Sequence, residues 1–298
     1  MRLPNYPWQR QDFWIESEES LLDRRGWDTH PLLGRPLNGP GKGWEDDLCR
    51  GRIPYLDDHQ VDGATVFPGA GYAEIGLAIH RALGQTDICL VEDLEFLKGL
   101  VIDPSNDPHV RVDYDAQSRD YLIYSRSADE RNAWQCHARG RLSFGKIRQP
   151  AAIDLAALQQ RSQHEVAGQD LYRELQERGL QYGPMFQTIR CLRRWPGEVL
   201  AQITVQAGRT TDQDRHYQLH PTLLDGCFQS MLAALNSDRG DWDDQLYVPV
   251  RIRQIRLYVP PSGMVWAYGR VTERTADEFH GDIALCDGES WSASVSAP

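Results

Sequence analysis

Apolar and polar positions alternate in two different rhythms along the chain, and the changes of rhythm mark its elements. Between Pro68 and Gly84 the apolar residues Tyr72, Ile75, Ile79, Ala82 and Leu83 recur at three and four positions, which predicts a helix stopped by Gly84. The runs ICLVEDLEFLKGLVI, HVRVDYDA, DYLIYSRS and WQCHARGRLSF that follow are rich in β-branched and aromatic residues and broken by turn residues, so they predict successive antiparallel strands. Ahead of the helix, the turn cluster LNGPGK precedes a further strand expected over 44–53. Residues 146–166, KIRQPAAIDLAALQQRSQHEV, interrupt the strand rhythm and predict a connection. The order of elements then returns. A short helix in DLYRELQERG leads to strands in IRCLRRW and EVLAQITVQ, and then to a second helix in PTLLDGCFQSMLAAL with Leu224, Phe228, Met231 or Leu232, and Leu235 on one face. Strands in VPVRIRQIRLYV, MVWAYGRVTE and GDIALCD complete the pattern.

The expected organisation is therefore α+β: an aromatic and proline-rich arm over 1–30, a first half over 31–145, the connection over 146–166 and a second half over 167–298. Each half holds one principal helix and several strands, with no residue-level repeat between them.

Composition narrows the partners. Against 32 basic residues stand 43 acidic ones, and the net charge of −11 repels phosphate backbones and gives anionic membranes nothing to attract. The six cysteines lie far apart without a CxxC pair, which points away from a zinc knuckle or a disulfide framework and toward a reducing cytosol. No apolar run reaches the length of a membrane span, and the first twenty residues lack the apolar core of a signal peptide.

Two stretches carry candidate chemistry. In YLDDHQVDGATVFPGAG, His59 is surrounded in sequence by Asp57, Asp58 and Asp62 and is followed by Gly63, Pro68, Gly69, Ala70 and Gly71. A histidine alone more often satisfies a hydrogen bond of the core or surface than performs catalysis. Here, however, small residues open a helix whose free N–H groups can receive a carbonyl oxygen. In LHPTLLDGCFQ, Asp225 is expected in the first turn of the second helix, with Gln229 one turn on along the same face. Its alternative reading is an acidic residue stabilised by the helix dipole. Three carboxylates facing His59 would raise its pKa and spoil a base. With 55–62 partly extended, Asp57 and Asp58 are expected to point to solvent.

With these residues in hand, His59, Gly63 and Pro68 are seen to resemble the HxxxGxxxxP motif of polyketide synthase dehydratase domains. GLQYGPMFQ, which contains Tyr182, Gly183 and Pro184, resembles the GYxYGPxF motif of that family, and LHPTLLDGCFQ its HPALLDxxxQ/H motif. LPNYPWQRQDFWI resembles the linker that precedes such domains in modular synthases. Leu180 replaces the usual tyrosine, and Val248, Pro249 and Val250 only loosely follow a Leu-Pro-Phe strand. The ending SASVSAP gives the chain the look of a domain excised from a larger synthase.

The resemblance implies a double hotdog, two halves that each wrap a sheet around a central helix, and a hydro-lyase that removes water from a β-hydroxyacyl thioester. The thioester would ride on the phosphopantetheine arm of an acyl carrier protein, with no metal and no cofactor of the domain's own. Partners would be the carrier and neighbouring synthase domains, in a cytoplasmic secondary metabolism such as antibiotic biosynthesis, with homodimerisation open. His59 would be the base and Asp225 the acid. Tyr182 and Gln229 would orient Asp225 or the departing water, the N–H groups of Gly69 and Ala70 would stabilise enolate charge, and Gly63, Pro68, Gly183 and Pro184 would shape the site. His220 reads as structural at the start of the second helix. Arg190, Arg193 and Arg194, with Arg251, Arg253 and Arg256, offer either basic docking ground or solvated strand faces. Two rivals remain: a double-hotdog cyclase that closes an oxygen heterocycle or an aldol ring with the same His and Asp, and a silent carrier-binding scaffold, against which the intact pair argues.

Overall fold

The computed structural model describes residues 29–296 apart from 40, 86, 104, 106, 127–132, 146–152, 162–164, 205–211, 236–246, 276 and 288–290. The linker-like stretch before Thr29, and residues 146–152 and 162–164 of the expected connection, therefore lie outside the described residues. In the first half, β1 (Arg35–Pro36) and β2 (Lys42–Asp47) precede the short hairpin β3 (His59–Val61) and β4 (Ala64–Thr65). Helix α1 (Gly69–Ala82) follows, then β5 (Ile88–Phe96), β6 (His109–Tyr114), β7 (Asp120–Arg126) and β8 (Gln135–Gly145). The second half contains α2 (Leu155–Gln160), β9 (Val166–Ala167), α3 (Gly168–Gln176), β10 (Leu180–Tyr182), β11 (Ile189–Trp195) and β12 (Glu198–Thr204). Helix α4 (Pro221–Leu235) and the strands β13 (Arg251–Leu257), β14 (Met264–Arg274), β15 (Phe279–Cys286) and β16 (Trp291–Ser296) complete it.

One antiparallel sheet runs through both halves in the order β1-β2-β6-β7-β8-β5-β13-β16-β15-β14-β12-β11-β9. Its first six strands curve around α1 and the rest around α4, which is the expected pair of hotdogs. The halves meet where β5 pairs with β13, Val91 opposite Ile255 and Leu94 opposite Ile252. Both helices are buried nearly all round, so their sequences are apolar beyond a single stripe. Small residues let the sheet close on them: a Cβ at Gly76 would lie 2.7 Å from the Tyr121 hydroxyl, and one at Gly226 would collide with Thr188 Oγ1.

Three local expectations are corrected. The strand expected over 44–53 ends at Asp47, because its ladder with β6 ends there and the chain turns back through Arg52 N–H and Ile53 N–H to the Cys49 carbonyl. Residues 54–58 form a 3-10 helix rather than extended chain, with Pro54 opening it. Val248, Pro249 and Val250 are not strand. Strand β13 begins at Arg251, and Pro249 instead lies over the start of α1, its Cγ 3.2 Å from where a Gly69 Cβ would be.

The seam generates a prediction. Ile255 is fully buried between Val91 of β5 and Val295 of β16. Ile255→Ala is expected to cost about 2–5 kcal/mol, read as a lower urea midpoint with an unchanged slope. A midpoint equal to that of the wild type would contradict the packing described.

Candidate active site

His59 comes from the first half but is held by the second. It begins β3, which pairs with β10 so that Tyr182 stands opposite His59. Gly183 N–H donates to the Asp58 carbonyl at 2.7 Å and Asp62 N–H to the Gly179 carbonyl at 2.8 Å, extending the cross-half ladder. Asp62 and Gly63 form the two-residue turn to β4 with φ of 49° and 77°, the left-handed pair that a tight hairpin requires and that glycine adopts without strain. Gly63 is exposed there, so the structure gives it a role in the turn.

The three nearby carboxylates turn away from His59 for separate reasons. Asp57 is exposed, as expected, and meets Arg50 at 3.1 Å. Asp58 does not point to solvent: its Oδ2 accepts from Met185 N–H at 2.7 Å, and a Cβ at Gly183 would collide with the same carboxylate. Asp62 sits exposed in the turn. Pro184, also exposed, caps the outside of this corner.

The imidazole is buried, and its Nδ1 lies 2.7 Å from the Val66 carbonyl oxygen. A carbonyl only accepts, so Nδ1 carries a proton, and in the neutral ring the lone pair is on Nε2. That Nε2 faces Asp225 Oδ1 across 3.8 Å, beyond hydrogen-bond distance. The rings of Phe186 and Tyr182, with centroids 5.0 and 5.7 Å away, wall the imidazole.

Asp225 is the fifth residue of α4, one turn inside the helix rather than in its first turn, because the helix starts at Pro221. The dipole reading thereby loses its geometry, since the effect fades beyond the first turn. Burial raises the Asp225 carboxyl above the usual range, while His59 and a hydrogen bond from Gln229 pull it down less strongly. Gln229 Nε2 donates to Asp225 Oδ2 at 2.8 Å and to the Phe186 carbonyl at 3.2 Å. The Gln229 Oε1 accepts from the Tyr172 hydroxyl at 3.1 Å, and that hydroxyl accepts from Ile189 N–H at 2.9 Å. Tyr172 escaped the sequence reading: it stands in the short helix before the GLQYGPMFQ stretch, with only its place on that helix to mark it.

Pro68 caps α1, and Gly69 and Ala70 open it, so their N–H groups are among those without partners inside the helix. Gly71 N–H is already used by the Pro68 carbonyl at 2.8 Å. His220 is structural, as read. Its carbonyl accepts from Leu223 and Leu224 at the start of α4, and its Nδ1 lies 2.8 Å from Thr222 Oγ1. The arginines divide: Arg193 meets Glu165, Arg194 meets Glu174 and Arg251 meets Asp93, while β11 and β13 stand four strands apart in the sheet. They do not form one patch. Among the described residues no three His, Cys, Asp or Glu side chains are grouped to hold a metal ion, and no helix is long and apolar enough to cross a membrane. All six cysteines are free thiols.

Known proteins are similar to this chain in sequence and fold. Residues 30–126 match the family described as "Polyketide synthase dehydratase domain" and residues 150–290 the one described as "Polyketide synthase dehydratase N-terminal domain". The phthioceranic/hydroxyphthioceranic acid synthase of Mycobacterium tuberculosis (strain ATCC 25618 / H37Rv) is 29% identical over 288 residues, 90% of this chain and 13% of that protein. The low-reducing polyketide synthase drtA of Aspergillus calidoustus is 30% identical over 300 residues, 93% of this chain and 12% of that protein. The chain thus spans about an eighth of the length of these relatives. Among solved structures, the dehydratase domain from the CurK module of curacin polyketide synthase superposes with a TM-score of 0.77 at 30% identity, covering 90% of this chain and 95% of that one. An inactive CurK dehydratase mutant with an aspartate changed to asparagine gives 0.80 at 30% identity, covering 90% and 97%.

The raised carboxyl of Asp225 carries a signature in stability. A carboxyl whose folded pKa lies above its unfolded value of about 3.9 costs stability as pH rises from the unfolded pKa to the folded one. Asp225→Asn is therefore expected to melt above the wild type at neutral pH, with the gap closing on acidification to about pH 4. A gap that widened on acidification would contradict the burial argument.

Proposed function

The chain belongs to the polyketide synthase dehydratase family, and we propose that its hydro-lyase chemistry runs between His59 and Asp225 on a β-hydroxyacyl thioester carried by an acyl carrier protein. The observation that carries this reading is the apposition of the imidazole Nε2 of His59 and the buried carboxyl of Asp225 across 3.8 Å. The α-hydrogen of a thioester is a weak acid, and a neutral imidazole is suited to take it. The β-hydroxyl is a poor leaving group and departs only as it is protonated, which needs a carboxylic acid that keeps its proton near neutrality. Burial of Asp225 acts in that direction.

The hydrogen bonds support one assignment of the atoms. Oδ2 of Asp225 is engaged by Gln229, so the oxygen that faces His59 carries the proton. In the step, the α C–H bond breaks toward His59 Nε2 and its electron pair forms the alkene. The β C–O bond breaks, and the hydroxyl leaves as water with the proton of Asp225. Imidazolium and carboxylate are left facing one another, and transfer of one proton between them restores the starting pair. N–H groups of Gly69 and Ala70 at the start of α1 would receive the developing enolate charge, and Tyr182 beside His59 would close the site on that side. Neither proton transfer calls for a metal or an organic cofactor. The CurK dehydratase offers support by analogy, since mutants with a histidine changed to phenylalanine or an aspartate changed to asparagine are described as inactive.

This reading assigns 31–145 to the first hotdog and 167–298 to the second, within a larger synthase whose neighbouring domains and carrier protein would be its partners. A soluble place in secondary metabolism follows from the same reading.

His59→Ala and Asp225→Ala are each expected to lower turnover of a synthetic β-hydroxyacyl pantetheine thioester by about 10²–10⁴-fold. The product, followed by mass spectrometry, is expected to be the unsaturated thioester, lighter by one water. A variant with near-normal turnover would sink the assignment. A product of that same mass that has lost its alkene, because a distal hydroxyl of the substrate has added across it to close a ring, would favour the cyclase reading instead.

A further inference from the structure

One ionisable group with no part in the chemistry lies at the junction of the halves. Glu74, in the middle of α1, is fully buried. Its Oε1 accepts from Gln218 N–H at 2.7 Å and its Oε2 from Leu219 N–H at 2.8 Å, so one carboxylate grips two consecutive amides of the other half. A third partner is His30, whose Nε2 lies 2.9 Å from Oε1. Leu32 N–H donates to Nδ1 of the same ring, at 3.2 Å, which leaves Nε2 as the nitrogen that bears the proton. All three partners therefore donate, and a group met only by donors is an ionised acceptor. Charge-assisted bonds of this kind are roughly twice as strong as neutral ones, and removing a buried charge from its partners strands them.

The place gripped is informative. Gln218 and Leu219 directly precede His220 and Pro221, where α4 begins, and Asp225 lies one turn into that helix. Around the clamp, Tyr217 stacks edge-on against His30 and His220, with ring centroids 4.9 and 4.6 Å apart, and its hydroxyl lies 3.0 Å from that of Tyr55. Tyr55 belongs to the 3-10 helix that ends at His59. The segments that deliver the two reacting side chains thus converge on one buried carboxylate and its aromatic collar.

We propose that Glu74 is a positioning residue for dehydration: its carboxylate fixes the start of α4 against the first half, and so sets the distance between Asp225 and His59. The proposal rests on the His59 and Asp225 reading. Replacement by glutamine keeps the shape of the side chain but turns an N–H₂ toward one of the backbone donors, so one grip is lost and α4 is freed at its start.

The test uses Glu74→Gln beside a control, Leu142→Ala, which opens a cavity at a fully buried, apolar position of β8 and removes none of the hydrogen bonds of the clamp. Turnover is measured well below both melting temperatures. Glu74→Gln is expected to lower kcat by tenfold or more with KM changed less than threefold, while Leu142→Ala keeps kcat within twofold at a comparable loss of melting temperature. Amide hydrogen exchange over 218–226 is expected to speed up in Glu74→Gln alone. A normal kcat in Glu74→Gln overturns the proposal whatever its stability, as does an equal fall of kcat in the control. Should Glu74→Gln fail to fold, Glu74→Asp, which keeps the charge but shortens the reach, is read in the same way. A wild-type chain that dehydrates no thioester refutes the functional reading and not the clamp. Exchange over 218–226 then decides the clamp, and unchanged exchange overturns it.

Discussion

The antiparallel seam between β5 and β13 fixes one half of the molecule against the other, and the candidate site depends on that alignment because His59 and Asp225 come from different halves. A continuous sheet is stiff along its ladder, yet none of its strands carries His59. The small sheet of β10, β3 and β4 adds a second attachment, pairing Tyr182 with His59 across the halves. Glu74 adds a third, on the side of Asp225. Three attachments at separate places hold a gap of 3.8 Å, a spacing that no single element of the fold could set.

Within that gap, a hydrogen bond orients the imidazole and burial acts on the carboxyl. The imidazole donates its Nδ1–H to a backbone carbonyl, which in the neutral ring leaves the lone pair on Nε2. The carboxyl is pushed toward its protonated form, since an ionised aspartate in an apolar cleft lacks the water that would stabilise it. Gln229 donates one hydrogen bond to it, and Tyr172 fixes which way the amide of Gln229 points. A single donor orients the acid without outweighing desolvation. The same burial that suits the carboxyl to catalysis costs the fold stability, a trade common to sites of this kind.

Much of this was legible in the sequence, because the strands after α1 and both principal helices follow from periodicities that the core enforces. Legibility failed where tertiary contacts overrode local pattern. The apolar residues of 44–53 read as one strand, but a ladder ends where its partner ends, and β6 stops pairing at Asp47. Asp58 looked like a solvent-facing turn residue, and only the fold reveals Met185 N–H above it. His59, Asp225 and Gln229 were legible through motif spacing. Tyr172 and Glu74 were not, since a tyrosine on an amphipathic helix and a glutamate in a helix of small residues look ordinary until the other half arrives to supply their partners.

The account turns on one state, a neutral His59 with its proton on Nδ1 facing a protonated Asp225. Long-range ¹H–¹⁵N correlation of the imidazole nitrogens of His59, recorded at the pH of maximal turnover, reads that state directly. The account predicts a protonated Nδ1 and an unprotonated Nε2, with Nε2 still bare in Asp225→Asn at the same pH. Two protonated nitrogens at that pH would contradict it, because an imidazolium cannot accept the α-proton.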